Sequence, residues 1–121
     1  MNQEIPKNLE AEKALLSCLC VEGNSNAYDS IANAVKQDDF FDYKYGLVFK
    51  AIGSLASKGE AIDLISLCEE LKTSGDLEQI GNAVDVMAIT DGAQTSTSTK
   101  YFAKIVREKS KLREIIKSFR I

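Results

Sequence analysis

Apolar residues along this 121-residue chain recur at three- and four-residue spacing, and nowhere do they alternate with polar residues over a sustained run. Such periodicity turns one stripe of each segment toward a core, as helices do. Leu9, Leu15, Leu16 and Leu19 predict a first helix, capped by Asn8 and running to about Val21, with Glu10 and Glu12 near its positive end. Glu22-Gly23-Asn24 stops it. A second helix is expected over 26–36, with Tyr28, Ile31, Ala34 and Val35 inward. The DDFFD passage, 38–42, then turns the chain. Tyr45, Val48, Phe49, Ile52 and Leu55 mark a third helix ending near Gly59. Asp63 caps a fourth, which carries Leu64, Leu67, Cys68 and Leu71 before Gly75. One turn over 77–80 and a further helix over 82–90 follow. A single proline and seven glycines, few of them paired, leave room for long helices. The expected class is all-α.

DGAQTSTST, 91–99, is the clearest linker, because Ser, Thr and Gly favour loops and caps over packing. Beyond it nothing breaks a helix up to Ile121, a span of roughly 35 Å at 1.5 Å per residue. Ile105, Leu112 and Phe119 lie seven apart, Tyr101 and Ile115 fill the companion seam, and Glu108 interrupts it. That spacing suits an antiparallel or coiled partner helix. The chain stops at Phe119-Arg120-Ile121 without glycine, cap or polar tail, which reads as a cut through a helix in a longer protein.

Charge changes at the same boundary. Residues 1–99 carry 7 basic and 16 acidic side chains, whereas 100–121 carry 8 and 2, a net −9 against +6 within an overall −3. Lys100, Lys104, Arg107, Lys111, Arg113, Lys117 and Arg120 could meet several phosphates of a nucleic acid. The alternative is a solvated face of a helix that docks on an acidic neighbour, within or between subunits. With a sequence pI near 5.0 the second account is preferred, since the rest of the surface repels phosphate.

Composition restricts the chemistry further. The length allows one domain at most, and it carries no run near the roughly 20 apolar residues of a membrane span. No histidine is present, which removes the commonest general base and the serine and cysteine triads. Neither GxxxxGK[ST] nor GxGxxG occurs to cradle a nucleotide phosphate. Asp38, Asp39 and Asp42 form the densest acidic cluster and could serve acid–base work or a divalent metal, but caps at helix starts explain them more simply. AIDLISLCEEL, 61–71, faintly resembles a carrier-protein site, yet Leu64 stands where the serine would be. Three cysteines are expected to be buried small hydrophobes, unbridged and free of metal. The expectation is therefore no catalytic residue, no cofactor-binding residue and no metal ligand: an α-helical interaction module.

A family resemblance sharpens this. IPKNLEAEKALL, 5–16, closely resembles the opening of the N-terminal domain of DnaB-type replicative DNA helicases. DDFFDYKYGLVFKAI, 38–52, is similar to that family's Asp-Phe-aromatic turn and following helix. EAIDLISLCEELKTSGDLEQIGN, 60–82, resembles its Ile-Asp, Gly-x-Leu and Ile-Gly sequence, and STKYFAKIVREKSKLREII, 98–116, its long helix. Each piece alone is weak; four in order over nearly the whole chain are specific. Departures fall at Ser17, Tyr45 and Asn82, where the family often has glycine, histidine and glycine.

The resemblance implies a helical head over 1–90, a linker over 91–98, and over 99–121 the first arm of a truncated helical hairpin. It implies an interface formed by Tyr101, Ile105, Leu112, Ile115 and Phe119. It further implies a collar on a hexameric ring, with other subunits, a primase and a helicase loader as partners. ATP and Mg²⁺ would belong to a separate motor domain that also holds the DNA. The setting would be the cytoplasm of a bacterium, with a chromosomal, phage or plasmid gene. A stand-alone all-α adaptor or dimerisation domain, and a small DNA-binding protein using the basic helix, stay open from the residues alone.

Overall fold

The computed structural model describes residues 4–92 and 95–119, and among these every regular element is helical. Side-chain caps decide where the helices start. Asn8 accepts the Ala11 N–H at 2.9 Å and opens α1, Leu9–Cys20. Asp42 accepts the Lys44 and Tyr45 N–H groups and opens α3, Tyr43–Ser57. Asp63 and Ser66 cap each other's backbone at the start of α4, Leu64–Ser74, and Asn82 and Asp85 do so for α6, Ala83–Thr90. Each arrangement satisfies N–H groups that a helix start leaves without partners. Asn82, one of the departures from the family pattern, thus serves as a cap. α4 ends at Gly75, whose φ of +79° lies in the left-handed region that glycine enters without a Cβ penalty. The single turn α5, Leu77–Ile80, links α4 to α6.

The short α2 spans Asn26–Ile31, less than the apolar spacing predicts. Beyond it the chain tightens into a turn, Ala34 donating to the Ile31 carbonyl at 2.9 Å, and Lys36, whose N–H donates to the Asp39 carboxylate at 2.8 Å, is extended. Ala34 is therefore exposed, while Val35 swings fully into the core. Leu9 also differs from expectation: it is 37% exposed, and the buried stripe of α1 starts with Ala11 and Glu12. A 3₁₀ turn at Gln37–Asp39 leads into α3, and another at Ser96–Ser98 into α7, Thr99–Ser118.

The core gathers Leu15, Leu16 and Leu19 of α1 with Leu47, Val48, Ile52 and Leu55 of α3 and Leu67 and Leu71 of α4. Phe49 stacks between Phe40 and Tyr28, ring centroids 4.9 and 5.5 Å away. α1 is central: α3 and α6 pack on it, and α7 lies along it and buries Thr99, Ala103, Val106 and Ser110. Covering so many aliphatic side chains, at roughly 1.5–3 kcal/mol each, is the main force closing the bundle.

Candidate interaction surface

α7 combines two features: buried polar contacts clamp it to the bundle, and it leaves a long apolar stripe uncovered. The clamp starts from two carboxylates that folding removes from water. Glu12 is 1% exposed, and its two oxygens accept the Phe41 N–H at 2.8 Å and the Asp42 N–H at 3.1 Å. Burial pushes its carboxyl up from the ordinary value, and the two N–H groups and Arg113 work against that shift. Asp39 is also buried. One of its oxygens accepts the Ser110 hydroxyl at 2.7 Å and an Arg107 N–H at 3.3 Å; the other holds Lys36.

Arg113 completes the clamp, donating to the Asp39 carbonyl at 2.7 Å and the Pro6 carbonyl at 2.9 Å. Its guanidinium also lies over the Phe41 ring, as does the Lys7 ammonium. The entering chain, the turn before α3 and the middle of α7 are thereby tied at one place. No buried side-chain nitrogen or oxygen among the described residues lacks a partner. Beside the clamp lies an open groove of about 620 Å³, bordered by Ile5, Pro6, Phe41 and Ile116 with Glu4, Asp38, Glu114 and Lys117.

The clamp redistributes the charges read from the sequence. Arg107 and Arg113 are committed to internal partners, whereas Lys100, Lys104, Lys111 and Lys117 are exposed; Arg120 lies outside the described residues. Part of the basic character of the helix thus offsets acid within the same chain, which leaves fewer cations free for a nucleic acid. Of the three aspartates, Asp42 is a cap, Asp39 a tie between elements, and Asp38 exposed at the groove. Among the described residues no three acids, cysteines or histidines come together to hold a metal. The chain also has no GxxxxGK[ST] phosphate loop. Cys18, Cys20 and Cys68 are free thiols; burial pushes Cys20 up to about 12. Among the described residues no helix is long and apolar enough to cross a membrane.

The face of α7 opposite the clamp carries the stripe. Tyr101 is 64% exposed, Leu112 44%, Ile115 52% and Phe119 81%. Ile105 belongs to the same row but is half-buried against the core. The row also contains Glu108, exposed and without an ion-pair partner among the described residues.

The clamp itself escaped the sequence reading, which treated Glu12 as a dipole partner and Arg107 and Arg113 as surface charge. A signal was present. Glu12 is in helical register with Leu16 and Leu19, and Ser110 with Ala103 and Val106, so both are polar residues on buried stripes.

Comparison with known proteins bears on the same architecture. The sequence pattern of the DnaB-like helicase N-terminal domain matches residues 4–108. The chain belongs to that family. It is 35% identical over 114 residues to the replicative DNA helicase DnaB of Buchnera aphidicola subsp. Baizongia pistaciae, covering 94% of this chain and 24% of that protein. It is 31% identical over 113 residues to the replicative DNA helicase DnaC of Bacillus subtilis, with 93% and 24% covered. This DnaB-like domain thus spans about a quarter of the length of these relatives. Its fold is similar to the crystal structure of the N-terminal domain of DnaB helicase from Mycobacterium tuberculosis, with a TM-score of 0.87, 27% identity, and 95% and 81% of the two chains covered. The all-α class expected from periodicity is the class of that domain.

Proposed function

We propose that this DnaB-like domain is the collar module of a hexameric replicative DNA helicase, which holds subunits together and receives a primase and a helicase loader. In this reading residues 1–90 form the head and 91–98 a linker, and α7 begins the first arm of a helical hairpin. Tyr101, Ile105, Leu112, Ile115 and Phe119 supply the seam between arms. A motor domain elsewhere in such a protein binds ATP, Mg²⁺ and DNA, in the bacterial cytoplasm. The exposed row on α7 carries the proposal, beyond family membership. The buried clamp fixes the helix so that Tyr101, Leu112, Ile115 and Phe119 face away from the core, where water contact is unfavourable by up to roughly 1.5–3 kcal/mol per side chain. A helix pinned on one face and apolar on the other is built to be covered.

Sedimentation equilibrium on the full-length protein and on its Leu112→Asp and Ile115→Asp variants tests this. The expected result is assembly by the parent and its loss in both variants, with unchanged far-UV circular dichroism. Assembly that both variants retain, or a strictly monomeric full-length protein, removes the collar reading.

A further inference from the structure

The charges bordering the apolar row on α7 specify what can cover it. In a seven-residue repeat Tyr101, Glu108 and Ile115 occupy one seam position, and Ile105, Leu112 and Phe119 the other. The flanking position on the open side falls on Lys104 and Lys111, both exposed. The flanking position nearer the bundle falls on Phe102, Lys109 and Ile116, each half-buried. The clamp cannot neutralise this border, since its carboxylates, Glu12 and Asp39, are buried and already taken by Phe41, Asp42, Ser110, Arg107 and the Lys36 N–H. Lys104, Lys109 and Lys111 also make no ion pair among the described residues.

A second copy of α7 fits this surface poorly in either orientation. Antiparallel pairing brings like flanks together, so Lys104 and Lys111 meet the partner's own lysines and Lys109 meets its counterpart. Parallel pairing sets Lys104 near the partner's Lys109 and Glu108 directly against Glu108. In the antiparallel case Glu108, which forms no ion pair among the described residues, faces an aliphatic side chain, and desolvating its carboxylate there is disfavoured.

We infer that the row is covered by an amphipathic helix of a different sequence, with acidic flanks and one Lys or Arg facing Glu108. This rests on the collar reading and adds the chemistry of the covering arm. Glu108 then acts as a register and specificity residue: an apolar seam alone tolerates sliding by a heptad, whereas one buried charge with one matching cation admits a single alignment. The lysine border rejects the wrong partner, another α7, as much as it selects the right one.

Three synthetic helices of about 20 residues test this, each with a leucine seam. The first has glutamate flanks and one central arginine in the seam, the second lysine flanks, and the third glutamate flanks and a central glutamate. Binding to the 121-residue chain is followed by fluorescence anisotropy and by NMR shifts of α7. The first peptide is expected to bind at least about tenfold more tightly than either other, with the gap shrinking as salt rises. The variant E108R should invert the preference between first and third. Equal affinities, a preference that E108R leaves unchanged, shifts that map away from α7, or no binding at millimolar peptide would each overturn the inference. So would dimerisation of the parent chain through α7 where the first peptide does not bind. None of these outcomes bears on whether Leu112→Asp dissolves the full-length assembly, so the two readings fail separately.

Discussion

Replacing Glu12 by alanine probes the clamp most directly. The carboxylate serves the Phe41 and Asp42 N–H groups at 2.8 and 3.1 Å and is itself 1% exposed. Its loss leaves both donors without an acceptor in a part-buried turn, at about 1–2 kcal/mol each, the lower part of the range for a buried unsatisfied group. Lost side-chain packing adds about 1 kcal/mol, and relief of the desolvated charge returns a similar amount. The net cost is about 2–4 kcal/mol, a large share of the 5–15 kcal/mol that typically separates folded from unfolded. Glu12→Gln keeps one acceptor but presents an NH₂ to the other donor, and should lose about half as much. Urea unfolding followed by circular dichroism reads both, with a thermal midpoint lowered by roughly 10 °C for the alanine variant. An alanine variant within about 1 kcal/mol of the parent, at unchanged urea slope, would show that the turn before α3 holds itself and that the clamp reasoning is wrong.

Other expectations concern the core, titration and thiols. Phe49→Ala, at a ring 3% exposed between Phe40 and Tyr28, should cost about 3–5 kcal/mol in the same assay; an unchanged midpoint would mean the α3 face is misassigned. The folded state holds the Glu12 proton to higher pH than the unfolded chain, whose ordinary value is 4.5, so this group adds stability as pH falls from neutral toward that value. Glu70 behaves oppositely: the hydrogen bond from Lys58 lowers its pKa, so its contribution is present above 4.5 and lost as pH falls through the lowered value. Glu12→Gln should remove the first slope and Lys58→Ala the second, checked by urea midpoints across the acid range. Thiol labelling should be slow at Cys18 and Cys20 in the folded protein and reach all three cysteines after denaturation; fewer would indicate a bridge or a bound metal.

The sequence by itself determined the order of the helices and most of their starts, though it placed Asn82, a cap, inside its helix. Asn8, Asp42, Asp63 and Asn82 act within three residues of themselves, and the apolar period of α1, α3 and α4 acts within two turns. It also placed Tyr101, Leu112, Ile115 and Phe119 on one face, because spacing alone decides which residues of a helix share a side. Tertiary structure alone decided which face of α7 docks. Thr99, Ala103, Val106 and Ser110 win the bundle because they are small or hydrogen-bonded, and α7 approaches closely enough for Ser110 to reach Asp39. It likewise decided that α2 stops at Ile31 and that Arg113 is spent on the carbonyls of Pro6 and Asp39. Those partners lie up to 107 residues away along the chain, a separation no local pattern records. Buried charges take whichever donors the packed bundle brings to them.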